Sequence, residues 1–287
     1  MRGILHCSGR YFRDNVELQG DGRNTIIGDN LGWKHEQVIP EEMEFSNQMQ
    51  QRALRNHLER YHVSRDWIAD HHNNHKPRIL DLACGTGFGS EILAETGEVV
   101  GVDISEESLE YANRNYRDAN TSFKLGNADD GKFLETLGEF DAVVSLETVE
   151  HLDNHYDYLK WVRKALRPGG ALVVSFPCTF TMDWATPHHK RDISLRSARR
   201  MFDECGFRIL KRFNQTDRLP MHHMLHEART NPDIPAPPLS QWVKYYLRRP
   251  DHMLRRLFQM TAGGGLLLAH QQYLLEPVRQ NAAIIRV

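Results

Sequence analysis

Three ionisable side chains lie within five residues at "SLETVEHLDNH": Glu147, Glu150 and His151. They directly follow the apolar run "FDAVVSL". On a helical turn the spacing i, i+3, i+4 shares one face. Two carboxylates beside an imidazole support two kinds of chemistry. His151 can act as a general base, since an unperturbed imidazole titrates at about 6.5, with Glu147 or Glu150 fixing its tautomer. Alternatively the set can bind a divalent ion. Magnesium prefers oxygen ligands, so a histidine-rich site would suit a softer ion equally well. A structural reading also stands: Glu150 in the first turn of the next helix, where acids are favoured, with His151 simply packed. A second histidine pair, His188 and His189 in "PHHKRD", follows a later strand and offers a further base or ligand, or only a solvated loop.

These groups must be placed by the elements around them. From Arg78 the chain alternates short apolar runs with helical patterns. "RILDLAC", "EVVGVD", "FDAVVSLE" and "GALVVSFP" lack a polar face, as strands buried in a parallel sheet do. "SEESLEYANRNYRDA" reads as a helix capped by Ser105 or Ser108. "DNHYDYLKWVRKALRPGG" reads as a helix stopped by Pro168 and glycines, and "SLRSARRMFDECG" as one ended by Gly206. Repeated strand–helix units predict a doubly wound α/β sheet. Its carboxyl edge, where such sheets bind ligands, would carry "ETVEH".

The sharpest motif is "LDLACGTGFG", Leu80 to Gly89. A strand ends, glycines at 85, 87 and 89 permit a tight turn and close backbone approach, and a helix begins. The spacing is one residue short of the dinucleotide fingerprint GxGxxG. Asp81 inside the strand would repel a pyrophosphate but orient a cationic amino group. Asp103 ends the next strand about 20 residues on, the separation at which a carboxylate accepts ribose hydroxyls. Asn127 in "LGNADD" is placed to bond an adenine amino group, with the Ala128 backbone reading the ring edge.

With "ILDLACGTGFGS", "VVGVDIS", "LGNADD", "FDAVVSLETVEHL" and "LRPGGALVVSFP", the chain from Arg78 to Phe213 resembles the class I S-adenosylmethionine-dependent methyltransferases. The resemblance implies a Rossmann-like sheet of order 3-2-1-4-5-7-6 with an antiparallel last strand, here expected at "NAAIIRV". It implies S-adenosylmethionine as cofactor, held by Asp81, Ala83, Gly85, Gly87, Asp103, Ile104, Asn127, Ala128 and Leu146. Asn127 stands where many relatives carry Asp. Upstream, "HEQVIPE" and "HLERYHVSRDWI" resemble the lead-in of bacterial methyltransferases of glycan and natural-product pathways. There a helix folds over the cofactor, so Arg60 and Tyr61 would face its carboxylate. Glu-x-x-Glu-His also resembles the magnesium-binding stretch of ubiquinone-pathway O-methyltransferases and small-RNA 2′-O-methyltransferases, implying a metal at Glu147, Glu150, His151 and His189.

The expected layout is an N-terminal extension and lid helix over 1–76, a core over 77–213, an inserted helical cap over 214–276 that selects the acceptor, and a final strand over 277–287. The long helical pattern of the extension starts near Pro40; "HHNNHKP" (His71, His72, His75) ends it as a solvated linker. The cap carries "MHHMLHE", read as one face of a helix. It also carries "VKYYLRRPDHMLRRLF", read as an anionic or glycan site, a membrane-surface contact or a solvated face. The implied reaction is transfer of a methyl group to a hydroxyl of a small molecule or glycan. The alternatives are N-methylation of an amine, RNA 2′-O-methylation, or cofactor binding without catalysis.

Composition narrows the partners. The 287 residues carry a net charge of −2, which gives no global signal for nucleic acid. The four cysteines (Cys7, Cys84, Cys178, Cys205) form no CxxC pair and fit a reducing, cytoplasmic setting. No run approaches the roughly 18 apolar residues of a spanning helix. Oligomeric state has no signature.

Overall fold

The computed structural model describes residues 48–73, 75–177, 190–191, 193–218, 239–251, 253–254, 257 and 266–278. His188, His189, "MHHMLHE", "NAAIIRV" and the segment around Pro40 lie outside them.

The elements run α1 (Gln48–His72), β1 (Arg78–Leu82), α2 (Phe88–Ala94), β2 (Glu98–Asp103), α3 (Glu106–Asn115), β3 (Thr121–Leu125), α4 (Gly131–Glu135) and β4 (Phe140–Leu146). They continue as α5 (His155–Ala165), β5 (Leu166–Pro177), α6 (Leu195–Glu204), β6 (Phe207–Arg218), α7 (Leu239–Arg248) and β7 (Leu266–Pro277). Seven strands form one sheet of order β3-β2-β1-β4-β5-β7-β6. β7 is antiparallel to both neighbours, and the other pairings, from β3 through β5, are parallel. The expected doubly wound, Rossmann-like sheet is therefore present.

Successive side chains of a strand point to opposite faces. Leu80, Leu82, Val143, Leu172 and Val174 enter the core under α5 and α6, while Ile79, Ala142, Val144, Ala171 and Val173 enter the core with Tyr61 and Ile68 of α1. Both faces are covered, which is why these strands read as unbroken apolar runs. Caps set the helix starts: Ser105 accepts from the Ser108 amide, Asn154 from Asp157 and Ser194 from Ser197. α5 ends at Ala165, before Pro168, because Leu166 already pairs with Phe140 of β4.

One expectation is corrected. The antiparallel strand is Leu266–Pro277, not "NAAIIRV", and β6 runs on to Arg218, past Asn214. The connection between β6 and β7 is thus residues 219–265. β7 escapes an apolar-run reading because Gln271 and Gln272 are fully buried in its middle. Their side-chain NH2 groups donate to tertiary partners. Gln271 donates to the Ile193 carbonyl at 2.7 Å. Gln272 donates to the Arg60 carbonyl at 3.0 Å and to Ser64 Oγ at 2.8 Å. Gln215 of β6 adds bonds to the Asn56 carbonyl and Glu59. Two buried glutamines thereby fasten α1 to the antiparallel end of the sheet.

Replacing Gln272 with Leu strips the Arg60 carbonyl and Ser64 of a buried donor. Loss of about 1–3 kcal/mol is expected, read as a lower urea midpoint at unchanged slope. An unchanged midpoint would show that this tie does not hold α1.

Candidate functional site

The strand order reverses direction between β1 and β4, where open α/β sheets leave a crevice at the carboxyl ends. The loop after β1 enters it. Ala83, Gly85 and Gly87 all have positive φ (60°, 55° and 89°), so the chain coils tightly between strand and helix. The three glycines of the motif differ in role. A Cβ on Gly87 would stand 2.7 Å from Ala112 Cβ, and one on Gly89 would meet the Tyr61 ring at 2.0 Å. Those two are packing glycines. A Cβ on Gly85 would meet no protein atom within 4 Å, so Gly85 is the one whose backbone faces the crevice.

Asp103 clasps this loop. Its carboxylate accepts from the Gly85 amide at 2.8 Å and the Ser105 amide at 2.9 Å. A carboxylate offers about four lone-pair sites, so acceptor capacity remains for hydroxyl groups. Ile104 beside it is 68% exposed, an apolar surface beside the crevice. Leu146 ends β4 and is buried. Asn127 is exposed, and its Oδ1 accepts from the Asp129 amide at 2.9 Å, which leaves one lone pair of that oxygen for an adenine amino group. Ala128 packs against the main core and presents backbone only.

Asp81 lies fully buried beneath the loop. Ser90 Oγ donates to it at 2.7 Å and Tyr61 Oη makes a longer contact of 3.5 Å. Burial pushes its carboxyl up to about 7, against the lowering effect of Ser90. Tyr61 is thus joined to the cofactor loop. Arg60, expected beside it, points elsewhere: its Nη1 donates to Gln215 Oε1 at 2.7 Å and its Nε lies 4.0 Å from Glu147.

The stretch that carries Glu147, Glu150 and His151 is not helical. α5 begins only at His155, and a turn closes from the His151 amide to the Thr148 carbonyl. Glu147 has φ 52°, a left-handed conformation rare for a non-glycine residue. That twist separates its carboxylate from the following pair. Glu150 is buried, with His151 Nε2 at 4.0 Å from its Oε1. The common helical face, the placing of Glu150 in a first helical turn and the metal set built on them are therefore not observed. Among the described residues no three metal-ligating side chains converge. The chain returning after β5 lies over this turn, with the Lys190 amide donating to the Glu150 carbonyl at 2.9 Å and Arg191 to the Leu152 carbonyl at 2.7 Å.

Glu147 belongs instead to a cluster that its sequence neighbours do not announce. Its Oε1 accepts from Ser175 Oγ of β5 at 2.7 Å, and its Oε2 lies 2.9 Å from His270 Nε2 of β7. Burial raises its carboxyl, but His270, Arg60 and the two hydrogen bonds outweigh this and hold it well below the usual range. His57 of α1 is pushed well below an ordinary imidazole by burial and then by Arg60. His57, Ser175, Gln215 and His270 come from four elements, so only the fold brings them together.

A family profile described as "Methyltransferase domain" matches residues 80–174. The ubiquinone biosynthesis O-methyltransferase of Cereibacter sphaeroides is 34% identical over 100 residues, 34% of this chain and 40% of that protein. A probable S-adenosylmethionine-dependent methyltransferase of Mycolicibacterium smegmatis is 26% identical over 46% of this chain and 52% of its own length. Residues 80–174 are a class I S-adenosylmethionine-dependent methyltransferase domain. In fold, the methyltransferase sheet is similar to a solved S-adenosylmethionine-dependent methyltransferase of Clostridium acetobutylicum, with TM-score 0.51 and 13% identity over 77% of this chain and 92% of that one. The chain spans about a third to a half of the length of the curated relatives it matches. Among the described residues no helix is long and apolar enough to cross a membrane.

The raised carboxyl of Asp81 has a stability signature. The native state holds a proton that the unfolded state has released between about pH 4 and about 7, so this group makes the protein less stable as pH rises through that window. Thermal melts of the cofactor-free protein across pH 4.5–7.5 should show less of that decline in Asp81→Asn. A slope identical to wild type would remove Asp81 from its origin.

Proposed function

We propose that the protein transfers the methyl group of S-adenosylmethionine to a hydroxyl of a small molecule or glycan. The observation that carries the cofactor half is the loop at Gly85, held by Asp103 and open on its crevice side. Asp103 then takes the ribose hydroxyls, Ile104 and Ala128 border the adenine with Asn127 at its edge, and Gly85 admits the backbone approach. Burial and the hydrogen bonds of Ser90 and Tyr61 place Asp81 under the loop, where its charge favours a cationic amino group.

The acceptor half rests on the ends of β4 and β5. Transfer is an in-line displacement needing a nucleophile about 3 Å behind the methyl carbon. A hydroxyl must also give up its proton, so a base belongs beside it. Histidines His151 and His270 border this rim, as do Glu147 and Glu150. His188 and His189 precede Lys190, which contacts the same turn. The connection over 219–265 leaves the sheet at this edge and is proposed as the acceptor-selecting cap. The O-methyltransferase relatives favour a hydroxyl over an amine.

Calorimetry should show wild-type protein binding S-adenosylmethionine and S-adenosylhomocysteine, with at least a hundredfold loss in Gly85→Val. Gly169→Val is the control for backbone strain, since Gly169 also has positive φ and an unobstructed Cβ position but follows β5's first residues, at the opposite end of the strands. It should keep wild-type affinity. Equal loss in both variants, or retention in a folded Gly85→Val protein, would remove the loop from cofactor binding.

A further inference from the structure

The proton acceptor of a hydroxyl methyl transfer must present a lone pair at the rim and keep it there. His151, the residue singled out by sequence spacing, has its Nε2 4.0 Å from Glu150, longer than a hydrogen bond. His270 meets a carboxylate that is itself fixed. Its Nε2 lies 2.9 Å from Glu147 Oε2, while Glu147 Oε1 is fixed by Ser175 Oγ at 2.7 Å and its backbone amide by the Ser175 carbonyl at 3.0 Å.

We propose that His270 is the base of the transfer reaction, with Glu147 as its positioning residue; this rests on the methyl-transfer reading above. A carboxylate only accepts hydrogen bonds, so a neutral His270 must carry its proton on Nε2. Nδ1 then bears the lone pair. That atom is buried and has no hydrogen-bond partner among the described residues. A buried acceptor without a donor gains one when a substrate hydroxyl docks against it.

Its place in the fold suits the task. β7 runs antiparallel, so His270 near its start pairs with Pro177 at the carboxyl end of β5 and with Gln215 of β6. Glu147 directly follows β4. The dyad thus spans the ends of β4 and β5, beside the crevice at β1. The step balances as follows. The hydroxyl oxygen forms a bond to the methyl carbon, the carbon–sulfur bond breaks, and its electron pair leaves S-adenosylhomocysteine as a neutral thioether. The hydroxyl proton passes to His270 Nδ1, and the imidazolium so formed is stabilised by Glu147. Among the described residues, the charged and titratable groups facing His270 are Glu147 after β4 and, from α1, His57 and the Arg60 guanidinium. The last opposes an imidazolium, and Glu147, in direct contact, favours one.

Two measurements on the full chain test this. Nitrogen-15 histidine NMR of the S-adenosylhomocysteine complex reads the tautomer without any acceptor. Neutral His270 should carry its proton on Nε2; a proton on Nδ1, or an imidazolium persisting above pH 9, overturns the proposal. Single-turnover transfer to a panel of catechols and sugars then reads the chemistry. His270→Gln should lower the rate about 10²–10⁴-fold, abolish the acidic limb of the pH–rate profile and leave cofactor affinity unchanged. Glu147→Gln should lower the rate less and shift that limb. A full rate in His270→Gln, or the same loss in His151→Gln alone, overturns it. Loss of activity on adding chelator would do so too, by pointing to a metal. If wild type binds no S-adenosylmethionine, it is the methyl-transfer reading that fails, and calorimetry reports that separately. If no member of the panel reacts, the tautomer decides.

Discussion

Everything at this site follows from the divergence of chain direction between β1 and β4. The units built on β1 to β3 extend the sheet one way and those on β4 and β5 the other. No crossover can then cover the carboxyl ends of the two central strands, so a crevice opens there as a consequence of topology. The sequence elsewhere serves to fill it correctly. The left-handed residues at 83, 85 and 87 coil the loop into the gap, and Asp103 reaches across from β2 to hold the loop by its Gly85 amide. Tyr61 lies over Gly89 so closely that no side chain fits between them. A cofactor-binding loop is therefore a packed object, and only its outermost glycine is left to meet a ligand.

The other half of the rim is set by a different constraint, that polar groups taken out of water need partners. The antiparallel β7 sets His270, Gln271 and Gln272 side by side, and each makes a contact across elements. His270 meets Glu147, Gln271 meets the Ile193 carbonyl, and Gln272 meets α1. Gln215 and Arg60 close the same network from β6 and α1. α1 is thus held to β6 and β7 by polar contacts, while its apolar face with Tyr61 and Ile68 packs beside the loop after β1. One helix couples the two halves of the site mechanically.

What could be read from the sequence divides along the same line. The loop after β1 is legible because its residues are local: a strand, a loop and a helix in "LDLACGTGFG", then an acid at the end of the next strand. The sheet order followed from the resemblance and from apolar runs buried on both faces. The seventh strand is not legible because Gln271 and Gln272 break its apolar pattern, and their partners are remote: the Ile193 carbonyl for Gln271, and α1, some 210 residues away, for Gln272. The shared helical face expected for Glu147, Glu150 and His151 fails for a related reason. Helical spacing brings residues together only if the chain is helical there, and the left-handed φ of Glu147 ends that possibility. His57 and His270 carried no local signal; only their long-range partners single them out.

Two carboxylates at the crevice show how one fold prepares opposite electrostatics a few residues apart in the sheet. Asp81 and Glu147 follow the same course, each near the carboxyl end of a central strand, the first fully buried and the second half-buried. Burial alone would push both carboxyls up. Asp81 receives only neutral donors, Ser90 and Tyr61, and stays raised to about 7. Glu147 receives Arg60 and His270 as well as Ser175, and is pulled far down. The first can therefore change its charge when a cation approaches, and the second cannot. A group with an adjustable charge suits the binding of a charged cofactor. A group with a fixed charge suits the stabilisation of an imidazolium that exists only while a proton is in transit. The difference between them is written in which strands lie next door: β2 supplies a second acid beside Asp81, and β7 supplies an imidazole beside Glu147. Pairing of divergent carboxyls marks a division of labour between groups, and here it separates the cofactor half of the crevice from the acceptor half.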